Sequence, residues 1–135
     1  MSTPLVLRAA TAEDLMTPGP VSMAESATAP EAAAFLTTRG FGAAMVIDEA
    51  GHPVGVVTKT DLVVHARERK PGAEPDDTPV GEVMTPAVFS VRTDTPARSV
   101  VEQLLALNVH HLFVTDSAGV VVGMVTPVDV LKKLG

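Results

Sequence analysis

The chain has 135 residues, 46% of them hydrophobic, which is enough to bury one sizeable core in the single-domain size range. Its formal net charge is −6 and it has no run of Lys or Arg, which excludes the broad positive surface that a nucleic-acid backbone demands. The absence of cysteine excludes disulfides, Cys-ligated zinc and a thiol nucleophile, and fits a reducing compartment.

Residues 1–10 are weakly patterned and read as an N-terminal arm. Its apolar run, Leu5-Val6-Leu7, is too short for a signal-peptide core or a membrane span, so the expected location is cytoplasmic, with no membrane partner. Thr11-Ala12-Glu13-Asp14 has the spacing of a capping box and leads into Met16-Thr17-Pro18, where the proline ends any helix and sends the chain into an extended path. Val21-Ser22-Met23 reads as a short strand. A helix follows with Ala32, Ala33, Phe35 and Leu36 on one face and Gly40 at its end. Two strands, Ala44 to Ile47 and Val54 to Val57, flank the turn Asp48-Glu49-Ala50-Gly51. The second runs out at Thr58 and turns straight into a helix from Thr60 to about Arg69.

Residues 71–77 are polar, proline-rich and aperiodic, and read as a linker. Then the pattern returns. Thr78 to Val83 repeats the capping segment, Met84-Thr85-Pro86 the extended one, and Phe89-Ser90-Val91 the strand. Thr95 is placed to cap a helix with Pro96 at its first position, Val100, Val101, Leu104 and Leu105 on one face, and Asn108 at its end. Strands Leu112 to Thr115 and Val121 to Val125 flank Asp116-Ser117-Ala118-Gly119, and a last helix runs from Val128 to about Leu134. The stretch Gly55-Val56-Val57-Thr58-Lys59-Thr60-Asp61 and its copy Gly123-Met124-Val125-Thr126-Pro127-Val128-Asp129 lie 68 positions apart without a gap. The chain is therefore two copies of one β-α-β-β-α unit, residues 11–70 and 78–135, an α/β (α+β) fold. A half of roughly 60 residues is marginal alone, so the copies are expected to share a core.

With that order established twice, and with Met-Thr-Pro opening each unit and Gly-x-x-Thr-x-x-Asp closing it, the chain resembles the cystathionine β-synthase (CBS) domain pair, or Bateman module. The resemblance implies two repeats packed about a pseudo-two-fold axis, with two clefts that take adenosine-containing ligands such as AMP, ADP, ATP or S-adenosylmethionine. It implies a homodimer as well. Thr58 and Asp61 are implied to face one cleft and Thr126 and Asp129 the other, each Asp accepting from ribose hydroxyls. The adenine is implied to lie near Thr17 to Val21 and Thr85 to Phe89, including Val88, and near Phe41-Gly42 and Val109-His110. The pair His110-His111 stands where family members often reach the phosphates. Phe113 and Met45 stand where many members have proline, and Gly42-Ala43 replaces the histidine pair in the first copy, so the clefts are expected to be chemically unequal.

Each of these residues also has a plainer reading. Thr-x-x-Asp is a helix-capping pattern, compatible with a ligand role because a hydroxyl that accepts one bond can still donate its proton. His110 and His111 are consecutive and point to opposite faces, which argues against one shared metal ion. Lys59 can neutralise a phosphate or simply sit exposed in a first helical turn, and Pro127 replaces it in the second copy. His52 and His65 read as surface residues, and Arg67 to Lys70 as a solvated helix end. No nucleophile elbow, glycine-rich phosphate loop or paired acid and base is visible, so no enzyme activity and no required cofactor are expected. The expected function is a small regulatory module that binds an adenosine-type ligand and signals to an unidentified effector protein. The alternative is a ligand-free dimerisation scaffold in which the Thr-x-x-Asp motifs serve only as caps.

Overall fold

The computed structural model describes residues 4–19, 21–70, 72 and 74–135, so the first three residues of the arm, Pro20, and Pro71 and Ala73 of the linker lie outside the described residues. In chain order the elements are α1 (Ala12–Leu15), β1 (Thr17–Pro18), β2 (Ser22–Ala24), α2 (Ala29–Arg39), β3 (Ala43–Ile47), β4 (Pro53–Thr58), α3 (Lys59–Glu68), α4 (Val80–Val83), β5 (Ser90–Arg92), α5 (Ala97–Leu107), β6 (Leu112–Thr115), β7 (Val121–Val125) and α6 (Pro127–Leu131). The order β-α-β-β-α recurs as expected, in β2 to α3 and again in β5 to α6. None of the described helices is long and apolar enough to cross a membrane.

The chain divides into two compact units, and the division cuts across the sequence repeats. Ser22–Val88 forms one unit; Met1–Val21 together with Phe89–Gly135 forms the other. Each Met-Thr-Pro segment thus belongs to the unit built from the rest of the opposite repeat.

In the unit of residues 22–88, β2 pairs parallel with β3, and β3 antiparallel with β4. Ala32 and Leu36 of α2, Ala44 and Val46 of β3, Val57 of β4 and Val80 of α4 form its core. Helix α2 starts where Thr28 Oγ1 accepts from the Glu31 N–H and the Glu31 carboxylate reaches back to Thr28, and it ends at Gly40 with φ 69°. Such reciprocal caps satisfy donors that the helix leaves orphaned. Ala33, expected on the buried face, is exposed. Thr78 does not copy the capping box of the first repeat, because Pro79 caps α4 and the Thr78 N–H is held by Asp76.

In the other unit the sheet order is β1-β7-β6-β5. Its core joins Ala12 and Leu15 of α1, Val91, Val100, Leu104, Leu112, Val114 and Val125. Two expectations fail here. Thr95 does not cap α5: its hydroxyl accepts from the Arg92 N–H in the preceding turn, and the helix begins at Ala97 after Pro96. Leu105 is 76% exposed, because the buried face of α5 narrows to Ala97, Val100 and Leu104. Residues 6–8 of the arm are ordered against the chain's other end, where Val6 and Gly135 exchange backbone hydrogen bonds and the Arg8 N–H donates to the Lys133 carbonyl.

Both turns are built alike. Asp48 Oδ1 accepts from the N–H groups of Ala50 and His52, Asp116 Oδ1 from those of Ala118 and Val120, and Gly51 and Gly119 adopt φ 84° and 82°. The short aspartate side chain closes the turn locally and glycine supplies the left-handed step. The strand register is regular as far as Val46–Gly55 and Val114–Gly123 and then slips by one residue, setting Ile47 opposite Pro53 and Thr115 opposite Val121.

Candidate ligand sites at two threonine-aspartate helix starts

At the end of β4, Thr58 becomes the N-cap of α3. Its Oγ1 accepts from the Asp61 N–H at 3.1 Å, and Asp61 Oδ2 accepts from the Thr58 N–H at 2.9 Å. The carboxylate is thereby fixed in orientation at the positive end of the helix, where a negative charge is stabilised. Its remaining lone pairs meet a residue from the other repeat: the Thr85 hydroxyl donates to Asp61 Oδ1 at 3.2 Å and to Oδ2 at 3.4 Å.

Thr85 is brought there by its backbone, which exchanges hydrogen bonds with Val56 at 2.8 and 2.9 Å. This approach requires that residue 55 have no side chain. A Cβ on Gly55 would lie 2.6 Å from Met84 Sδ and 2.7 Å from the Thr85 carbonyl oxygen. The glycine, the Met-Thr-Pro segment and the aspartate are thus one mechanical unit.

The same construction recurs in the other unit with tighter geometry. Asp129 Oδ2 accepts from the Thr126 N–H at 2.8 Å and from its hydroxyl at 3.0 Å, while Thr17 Oγ1 donates to Asp129 Oδ1 at 2.8 Å. Here the segment is a paired strand, with Thr17 opposite Met124 and Pro18 opposite Gly123. A Cβ on Gly123 would lie 2.6 Å from Met16 Sδ and 2.8 Å from the Thr17 carbonyl oxygen. Asp129 is buried, at 9% exposure, whereas Asp61 is half-buried.

The surroundings differ more. Lys59, exposed in the first turn of α3, donates its N–H to the Gly42 carbonyl, and its side chain runs alongside Gly42. Gly42, Lys59 and Leu62 line a cleft of about 430 Å³ with Leu36 and Phe41, a volume suited to a small ligand. The equivalent hollow on α5 and α6 holds about 130 Å³ and is lined by apolar residues, with Pro127 in the place of Lys59.

The candidate residues therefore gather into two groups. Thr58, Asp61 and Thr85 are directly bonded, and none of the three lines the cleft that holds Lys59 and Gly42; Thr17, Thr126 and Asp129 are directly bonded in the other unit. Val21 is buried at 1% exposure, Val88 is half-buried, and Val109 packs against the core that contains Leu104 and Leu112. His110 is exposed, while His111 sets its ring edge-on to Phe113 at 5.7 Å between centroids. The direct Thr17–Asp129 and Thr85–Asp61 bonds escaped sequence reasoning; the signal was the fixed offset of Met-Thr-Pro and the glycine in both copies.

A further polar cluster was also missed. His65, read as a surface residue, has a side chain only 19% exposed and bonds Asp76 Oδ2 through Nε2 at 2.7 Å; Arg69 also reaches Asp76 and the Glu74 carbonyl. Hydrogen bonds from Thr78, with His65 beside it, hold the Asp76 carboxyl well below the usual carboxylate range, at about 2. Hydrogen bonds from Ala10 and Thr11 likewise lower that of Asp14.

The CBS domain family model matches residues 12–68 and 80–135. The magnesium transporter MgtE of Thermus thermophilus is 37% identical over 125 residues, covering 89% of this chain and 26% of the transporter. An uncharacterized protein of Methanopyrus kandleri is 28% identical over 105 residues, covering 78% of this chain and 53% of the relative. The chain thus spans about half or less of the length of these relatives. Among solved structures, the cytosolic domain of the Mg2+ channel MgtE in complex with ATP superposes with a TM-score of 0.73 at 35% identity, covering 91% of this chain and 48% of that one. CBSX2 in complex with AMP gives 0.74 at 27% identity, covering 92% and 95%. The CBS domain pair of MJ0100, in complex with 5′-methylthioadenosine and S-adenosyl-L-methionine, gives 0.75 at 26% identity, covering 90% and 97%. With both of its repeats matched, over most of its length, this chain belongs to the CBS domain family.

Proposed function

We propose that this protein is a regulatory module that binds an adenosine-containing ligand at the Thr58–Asp61 and Thr126–Asp129 helix starts and signals through a change of shape or of partner affinity. The observation that carries this reading is the position of the threonine hydroxyls. Each carboxylate is anchored by its cap and turns its free lone pairs to a hydroxyl donor from the Met-Thr-Pro segment. A ribose hydroxyl is the same chemical group, and a charge-assisted bond of this kind contributes about 1.5–3 kcal/mol. Similar structures in complex with ATP, AMP and S-adenosylmethionine support the ligand class. Lys59, exposed in the first turn of α3 two residues before Asp61, suits a phosphate.

The same reading takes the protein as non-catalytic, cytoplasmic, independent of any cofactor, and paired with a second copy and an effector protein. Val63 of α3 is 68% exposed in one unit, and at the equivalent repeat position in the other Leu131 of α6 is 64% exposed, with Leu105 of α5 at 76%. A thermal-shift screen with AMP, ADP, ATP and S-adenosylmethionine tests the ligand. At 100 times its dissociation constant a ligand adds about 2.7 kcal/mol of stability, and Asp61→Ala with Asp129→Ala abolishes that gain. No shift with any of the four sinks the proposal.

One observation favours a second reading, a ligand-free scaffold: both capping boxes are formed and both carboxylates are already satisfied. In that case the aspartate substitutions lower stability and no nucleotide restores it.

A further inference from the structure

The two threonine-aspartate contacts are copies in sequence but unequal in geometry. Thr17 gives Asp129 a single short hydrogen bond of 2.8 Å to Oδ1, the oxygen left open by the cap, from within a paired strand. Gly19 extends that pairing by donating its N–H to the Val122 carbonyl at 3.3 Å. Thr85 divides its proton between the two oxygens of Asp61 at 3.2 and 3.4 Å, and its backbone is held by an isolated bridge to Val56. Asp129 is buried where Asp61 is half-buried.

Resting on the nucleotide reading above, we propose that Thr17 is a gate. Asp129 is buried and its oxygens already accept three hydrogen bonds, so a ribose hydroxyl that reaches Oδ1 competes with Thr17, and the Asp129 site fills most readily when the Met16-Thr17-Pro18 segment yields. Ligand therefore fills the Asp61 site first and the Asp129 site second. A ribose hydroxyl at Asp129 replaces a bond that already exists, so it gains only the difference between the two. At Asp61 it replaces a divided, longer bond in a more open setting. A charge-assisted hydrogen bond corresponds to roughly 10- to 150-fold in affinity, which sets the scale of the gap between the sites.

Thr17→Val keeps the shape of the side chain and removes the hydroxyl. Calorimetric titration with AMP, ATP and S-adenosylmethionine in turn is expected to show two unequal steps in the unaltered protein. In Thr17→Val the weaker step strengthens by about tenfold relative to the stronger. Thr85→Val is the matched control, with its smaller effect on the stronger step. In the absence of ligand, thermal unfolding of Thr17→Val, Asp129→Asn and the double variant reads the contact itself, and the two single losses sum to more than the double loss. Additive losses overturn the contact. A weaker step that is unchanged or further weakened in Thr17→Val, with binding still measurable, overturns the gate while the nucleotide reading stands. Absence of binding by every form to all three ligands overturns the nucleotide reading and the gate with it.

Discussion

Replacing Gly55 by alanine adds one methyl group to a strand that has no room for it. Gly55 does not adopt a left-handed conformation, so the substitution is not opposed by backbone strain. Its cost is steric: the new Cβ would stand 2.6 Å from Met84 Sδ, 2.7 Å from the Thr85 carbonyl oxygen and 3.2 Å from Met84 Cγ. The methionine end can rotate away, but the carbonyl oxygen is backbone and is fixed by its bond from the Val56 N–H. Relief requires Met84-Thr85 to move off β4, which breaks both Val56–Thr85 hydrogen bonds and withdraws the Thr85 hydroxyl from Asp61. Overpacking of this kind costs about 1–3 kcal/mol, and the stiffer unfolded chain returns about 0.4–1 kcal/mol of it. The net expectation is a loss of about 1–2 kcal/mol, or roughly 4–8 °C in melting temperature for a chain of this size.

Calorimetry measures the melting temperature, and amide hydrogen exchange at Val56 and Thr85 reports whether the segment has left the strand. Both amides are expected to lose protection in Gly55→Ala. Adding Met84→Ala removes the sulfur contact but not the carbonyl contact, so it restores neither amide. A Gly55→Ala protein with an unchanged melting temperature and both amides still protected would refute the claim that this glycine exists to admit the Met-Thr-Pro backbone.

Three other outcomes follow from the same geometry. Thr126→Val removes an N-cap and is expected to cost about 0.5–2 kcal/mol in urea unfolding; Thr58→Val costs a similar amount at the start of α3. Asp76 is titrated low in the folded state, at about 2, so its contribution is present above the unfolded value near 3.8 and is lost as pH falls through the folded value. The melting temperature of Asp76→Asn is therefore expected below that of the unaltered protein at pH 6, with the gap closing between pH 4 and pH 2; a gap independent of pH would contradict this assignment. On the proposed pairing with a second copy, Leu105→Glu places a charge on the exposed face of α5 and is expected to shift sedimentation from dimer to monomer without lowering the melting temperature of the monomer; sedimentation identical in the two proteins would refute a role for this residue in pairing.

Much of the architecture was legible because its local signals are strong. Asp48 and Gly51, and their copies Asp116 and Gly119, close hairpins by side-chain acceptance and positive φ, which depend on nothing distant. Thr58 and Asp61 made a readable cap for the same reason. What was not legible depends on pairing across long sequence distance. Thr17 meets Asp129 across 112 positions, and nothing in either segment alone specifies a partner. Thr95 looked like a cap because the residue type was right, but the turn before it took the hydroxyl for Arg92. His65 and Arg69 looked solvated because their partner Asp76 sits in an aperiodic segment whose path no periodicity predicts. Leu105 continued an apolar face in sequence that the fold does not bury.

The exchange of opening segments matters for how such a module can transmit a signal. Met84-Thr85-Pro86 belongs to the unit that carries Asp61, yet the chain passes from it through Val88 directly into Phe89, whose carbonyl accepts from the Phe113 N–H, and then into β5 of the other unit. On the proposed regulatory reading, a ligand that takes Asp61 from Thr85 would free one end of a segment whose other end is paired with β6. On that reading coupling would need no chain of side-chain contacts, since the covalent backbone itself runs from the Thr85 segment into β5. The Thr17 segment runs the reverse course, from the sheet of β7 into β2. For the ligand to act through this route it must bind the released arrangement better than the latched one, and the free energy it can transmit is bounded by that difference. If the proposed function holds, the two short Met-Thr-Pro segments, each given room by a glycine, are therefore where substitutions uncouple binding from response while leaving both cores intact.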